Sequence, residues 1–201
     1  MQDYVRSDDD EDETRPLAPR PSRLVDESLF KKRHVLITGA INDRVARGTA
    51  ERLLALAAAG DEPINVFISS PGGHVESGDM IHDVIKFISP EVRTIGTGWV
   101  ASAGALIFVA VPKEQRFCLP NTRFLLHQPS GGVGGRAADI EIQADEIVKM
   151  RGRFYRIFAD ATGQTVERVQ RDMERDFWLG TDEALAYGLL GKVIKSQAEL
   201  G

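Results

Sequence analysis

The sequence predicts an α/β fold built on a largely parallel sheet, and two features carry that prediction. β-Branched runs alternate with helical patterns three times between His34 and Ala110. That order is the signature of βαβ units with right-handed crossovers. The second feature is where the small residues fall. Ser70-Pro71-Gly72-Gly73 follows the second strand, and Gly96-Thr97-Gly98-Trp99-Val100-Ala101-Ser102 follows the third. Parallel sheets gather ligands at the carboxyl ends of their strands, so these two turns are expected to share a crevice.

Taken in order, residues 1–22 combine seven acids with three arginines, Pro16, Pro19 and Pro21. They hold almost no large apolar side chains and are expected to be a disordered acidic tail. The folded domain is expected over 23–201, with regular structure starting near Leu29-Phe30. His34–Thr38 reads as a strand ended by Gly39. Asn42 or Asp43 can cap a helix over Arg44–Ala59, whose apolar positions have helical spacing and which Gly60 stops. Ile64–Ser69 is the second strand, and a helix over Ser77–Ile88 follows the Gly72-Gly73 turn. Val92–Thr97 is the third strand, and Ala103–Ala110 reads as a core helix. Arg116–Leu119 and Arg123–His127 are short strands parted by Pro120-Asn121. Gly131–Gly135 is a flexible or closely approached segment. Arg136–Ala161 is a long helix, Val166–Met173 a short one, and Thr181 caps a last helix to Tyr187. Lys192-Val193-Ile194 closes the chain as a strand.

Composition narrows the function classes. The 42% hydrophobic and 27% charged fractions are those of a soluble globular protein. The formal charge is −5; the first 22 residues carry −4 of it and leave the remainder nearly neutral. A nucleic-acid-binding domain would need a net basic face. One cysteine, Cys118, excludes an intrachain disulfide and fits a reducing compartment. No apolar run is long enough to span a membrane, and the acidic start lacks the apolar stretch of a secretory signal. The expected location is cytoplasmic.

The chemistry centres on Ser102. It lies among small residues at a strand-to-helix junction, where a turn holds a hydroxyl clear of the backbone and free N–H groups favour an anion. The competing reading is an N-cap serine with no chemistry. A nucleophilic serine needs a base, and the base needs a partner. His127 closes a strand and ranks first of the four histidines, and His74, directly after Gly73, ranks second. His34 reads as exposed and His82 as a surface or interface residue. Spacing alone does not choose among the acids. Gly131–Gly135 lacks the Lys-Ser/Thr pair of a phosphate loop, and no metal-ligand motif is present.

Five segments in order then carry a resemblance. Ser69-Ser70-Pro71-Gly72-Gly73, Ala101-Ser102-Ala103-Gly104-Ala105, Leu126-His127-Gln128-Pro129, Arg136–Ile142 and Glu174-Arg175-Asp176-Phe177 resemble the proteolytic subunit of the Clp (caseinolytic) protease. Glu183–Leu189 is similar as well, and the likeness spans residues 30–196. It implies a crotonase-like α/β fold with a long handle helix. It also implies a serine peptidase domain over 23–201, with Ser102 as nucleophile, His127 as general base and Asp176 as its orienting acid. The backbone N–H groups of Gly73 and Ala103 would form the oxyanion hole. The resemblance further implies two stacked heptameric rings enclosing a chamber, fed with unfolded polypeptide by a separate hexameric ATPase. The chain itself would hold no cofactor and no metal, and ATP would be used by that partner alone.

The upstream segment Leu24–Phe30 is shorter than the family's, and His74, Glu76, Ser77, Asp79, Trp99 and Val100 depart from its usual residues. These mark a divergent member, and a structural or regulatory subunit active only in mixed rings with a paralogue is the alternative. A crotonase-type acyl-CoA enzyme shares the fold but not this Ser–His–Asp order.

Overall fold

The computed structural model describes residues 23–129 and 134–200. The tail expected over 1–22 and most of the Gly131–Gly135 run lie outside the described residues. The sheet has seven strands: β1 (His34–Thr38), β2 (Ile64–Ser70), β3 (Val92–Ala101), β4 (Arg116–Cys118), β5 (Arg123–Leu126), β6 (Phe177–Leu179) and β7 (Lys192–Val193). The helices are α1 (Arg23–Lys31), α2 (Asp43–Ala59), α3 (Val75–Phe87), α4 (Ala103–Phe108), α5 (Ala137–Thr162), α6 (Val166–Asp172) and α7 (Thr181–Tyr187).

The strand order is β1-β2-β3-β4-β7, all parallel. β3 forks. Its first half pairs with β4 through Thr94, Ile95 and Gly96, and its second half with β5 through Trp99, Val100 and Ala101. Among the described residues, the one antiparallel pairing, β5 with β6, extends this second branch. Gly98 turns through φ +64° between the two halves, which gives β3 the freedom to change partner.

Alternation in β2 sends Ile64, Val66, Ile68 and Ser70 inward. α2 and α3 pack there through Ala46, Leu53, Leu56, Ile81 and Ile85. α4 is buried on every side, as its uninterrupted apolar sequence requires. Its Phe108 meets Phe124 of β5 at 5.2 Å. Asn42 caps α2, its side chain accepting from Val45 N at 3.0 Å. α5 runs for 26 residues, about 39 Å at 1.5 Å per residue. Among the described residues, it is anchored through its second half, by Phe154, Tyr155, Phe158, Ala159 and Thr162. A smaller cluster of Ile95, Phe117, Ile194 and Leu200 covers the other face of the sheet.

Several expectations need correction. Among the described residues, helix α1 is already formed at Arg23, upstream of Leu29. β3 continues to Ala101, because its glycines bend the strand without ending it. α3 starts at Val75, and β6 lies where the sequence pattern predicts no element. His82 is buried, with Nδ1 3.0 Å from Asp83 Oδ1. His34 is half-buried, edge-on to Phe67 at 5.4 Å. In both cases packing of the neighbouring elements, which periodicity does not report, covers the ring. Among the described residues, no helix is long and apolar enough to cross a membrane.

Candidate active site

Ser102 stands between the end of β3 and the first turn of α4 with φ +52° and ψ −120°. An N-cap takes an extended backbone and lends its side-chain oxygen to the helix. Ser102 does neither: its side chain makes no cap hydrogen bond. Its backbone is held from both directions instead. Ser102 N donates to Leu125 O at 3.0 Å, and its carbonyl accepts from Leu106 N at 3.1 Å. The hydroxyl is thereby left over on a strained turn, a conformation that costs of order 1–3 kcal/mol.

Gly72 and Gly73 lie against this turn. A Cβ on Gly72 would fall 2.6 Å from Ser102 Cβ and 3.1 Å from Ala103 N, so only glycine fits there. Ser70, fully buried, fixes the approach: its Oγ donates to Gly39 O at 2.7 Å and accepts from Gly72 N at 3.0 Å. On the far side, Ile41 N donates to Gly72 O and Ile41 O accepts from His74 N, both at 2.8 Å. In a parallel bridge of this kind the intervening residue turns its own N–H away from the partner. The Gly73 N–H therefore faces away from Ile41.

His127 and Asp176 arrive by strand register. β5 runs beside β3 up to the pair Ala101–Leu125, and His127 is the first residue past β5. β6 runs antiparallel to β5 from the pair Leu126–Phe177, and Asp176 immediately precedes it. Gln128 locks this end. Its N donates to Met173 O at 2.8 Å, its Nε2 donates to Glu174 O at 3.1 Å, and its Oε1 accepts from Arg151 of α5 at 3.3 Å. Among the described residues, no hydrogen bond joins the side chains of Ser102, His127 and Asp176 to one another.

The register thus gathers Ser102, His127 and Asp176 at one end of the β3–β5–β6 branch, with Gly72 against the Ser102 turn. His74 is close as well, but its ring is bonded to Ser77 and lies beside Asp43 and Glu76. Sequence reasoning missed Ile41, Ser70 and Gln128. Ile41 acts through its backbone and leaves no signal in side-chain type. Ser70 and Gln128 sit inside quoted motifs, beside residues with more obvious chemistry.

A serine on a strained turn, a glycine pair against it, and a histidine and an aspartate at the adjoining ladder end are the parts from which serine hydrolase sites are built. Comparison with known proteins is more specific. The Clp protease family model matches residues 21–197. An ATP-dependent Clp protease proteolytic subunit 3 of Rhizobium meliloti is 58% identical over 196 residues, 98% of this chain and 100% of that protein. The ATP-dependent Clp protease proteolytic subunit of Paracoccus denitrificans is 63% identical, covering 90% of this chain and 91% of its own. Among solved structures, ClpP1 from Listeria monocytogenes superposes with a TM-score of 0.81 at 47% identity, over 88% of this chain and 99% of that one. A point mutant of the same protein gives 0.83 at 48%. The chain belongs to the Clp protease family. At these identities, the departures at residues 74–79 and at 99–100 are minor against a shared frame.

Proposed function

We propose that this protein is the serine endopeptidase subunit of an ATP-dependent chambered protease. The observation that carries the reading is the register of β3, β5 and β6, which brings Ser102, His127 and Asp176 to one end of the sheet beside Gly72-Gly73. In this reading, Ser102 Oγ attacks the scissile carbonyl carbon while His127 takes its proton. The carbonyl oxygen becomes an oxyanion and receives the N–H groups of Gly73 and Ala103. His127 then returns the proton to the leaving amine, and water attacks the acyl-enzyme by the same route. Asp176 orients the imidazole and stabilises its cationic form. Each oxyanion donor lowers the barrier by about 3 kcal/mol.

The relatives are named as proteolytic subunits of an ATP-dependent protease, which supports a division of labour. This chain cuts unfolded polypeptides, holds no cofactor and binds neither nucleic acid nor membrane. A separate hexameric ATPase uses ATP to feed it. Two stacked heptameric rings, a tetradecamer, in the cytoplasm complete the reading. The alternative is a structural or regulatory ring subunit active only beside a typical paralogous subunit. It draws on the absence of a hydrogen bond among the three side chains in the single chain, an alignment that assembly would have to complete.

The test is hydrolysis of a short fluorogenic peptide across the fractions of a sizing column, with Ser102→Ala in parallel. Activity in a large oligomer, absent from the mutant, is the expected result. Activity retained by Ser102→Ala ends the nucleophile assignment. A stable, inactive oligomer that gains activity only on mixing with a typical subunit establishes the alternative.

A further inference from the structure

The segment that carries Gly73 is mobile by composition and fixed by its neighbours. Gly72 and Gly73 adopt φ +94° and φ +148°, and two successive glycines have many other conformations open to them. A useful oxyanion donor has to be held in place before the charge develops. Ile41 holds the segment from one side through its backbone. The side chains of the next residues close a second link.

Ser77 Oγ donates to Asp43 Oδ1 at 2.7 Å and lies 2.8 Å from His74 Nδ1. A hydroxyl has one proton to give, and here it goes to the carboxylate. His74 Nδ1 must therefore carry its own proton and donate it to Ser77 Oγ. His74 Nδ1 is also 3.3 Å from Asp43 Oδ1, and its Nε2 is 3.1 Å from Glu76 Oε2. Ser77 is buried, so the junction of the three groups is sheltered although His74 and Asp43 are not. Asp43 opens α2 two residues after Ile41, and His74 is the residue before α3. The link thus closes a loop: Ile41 to Asp43 on one side, Gly73 to Ser77 on the other, with backbone bonds at one end and side-chain bonds at the other.

We infer that Asp43, Ser77 and His74 are a positioning unit for the Gly73 amide, holding it on the Ser102 side of the turn. The inference rests on the proposed oxyanion role of Gly73. None of the three touches the reacting atoms; they act through the backbone they fix.

The test uses the assembled protein once Ser102-dependent hydrolysis of the fluorogenic peptide has been shown. Three variants are compared: His74→Ala, Asp43→Ala and the conservative His74→Asn, whose amide can donate where Nδ1 did. The altered side chains are 53% and 90% exposed, so the fold itself is not at stake. The two alanine variants are expected to lower kcat about tenfold with KM within about twofold, as a small misplacement of a catalytic group does. They should weaken a peptide aldehyde, which forms a tetrahedral adduct on the serine, by the same factor as kcat. His74→Asn should recover most of both losses. Unchanged kcat and aldehyde affinity with only a lower Tm would show a purely structural link and overturn the inference. A rise in KM alone would do the same, by placing these side chains against the substrate. If the wild-type assembly shows no Ser102-dependent hydrolysis, the underlying reading fails and takes the inference with it.

Discussion

His127 and Asp176 are the residues immediately beyond Leu126–Phe177, the last pair of the β5–β6 ladder. They are 49 residues apart in sequence and flank the same ladder end. In the proposed chemistry Asp176 sets the tautomer of His127. Asp176→Asn is therefore expected to lower kcat by about 10³–10⁴-fold with the oligomer intact. Steady-state hydrolysis of a short peptide in the oligomer fraction measures it. A near wild-type rate would move the orienting role to another residue.

Gln128 ties that ladder end to its surroundings with three hydrogen bonds, two to the 173–174 turn and one from Arg151 of α5. Gln128→Ala keeps only the backbone bond to Met173. The expected outcome is a loss of about tenfold in kcat with little change in Tm, since the lost side-chain bonds are at most half-buried. Gln128→Glu keeps an acceptor for Arg151 but gives up the donor to Glu174 O. Its rate therefore reports which of the two side-chain bonds matters.

The Gly72 turn has no room to spare. In Gly72→Ala the new methyl would lie 2.6 Å from Ser102 Cβ and 2.9 Å from Ala101 O, at a backbone angle that favours glycine. The variant should be inactive, and its Tm should fall by about 5–10 °C, the response to a loss of 2–3 kcal/mol in a chain of this size. A Tm and rate close to wild type would mean that the turn can relax, contrary to the packing described here.

Much of this arrangement is legible in the sequence. The β-branched runs fix β1, β2 and the first half of β3, and Asn42 announces the start of α2. Ser102 and His127 stand out because small residues surround one and a strand end carries the other. Asp176 is different. Nothing local separates it from the other acids, since its position depends on a β5–β6 pairing between segments far apart in sequence. The resemblance supplied that residue, and the register shows how it gets there. β6 itself is three residues long, below the length at which alternation is readable. The burial of His82 is hidden in the sequence for a related reason. Its helix face is set by what packs on α3, and a polar residue on a buried face leaves no periodic signal.

Cys118 makes a separate prediction. Burial pushes its thiol up to about 11, against an opposing hydrogen bond with Thr122. At pH 8 about one thiol in a thousand would be ionised, and the side chain is fully enclosed. The native protein should be inert to an aromatic disulfide reagent at that pH and should release one equivalent of chromophore per chain in guanidinium chloride. Rapid reaction of the native protein would show that the β3–β4 region opens readily.

The left-handed backbone at Ser102 sets stability and chemistry against each other at a single position. A side chain at φ +52° and ψ −120° is tolerated there, whereas glycine would be at ease. Ser102→Gly should consequently give a protein that melts higher than the wild type while hydrolysing nothing. The fold would be sturdier without the hydroxyl proposed as the nucleophile, so in that reading the strain at this turn is a standing cost of function that the buried packing of α4 and β3 has to offset.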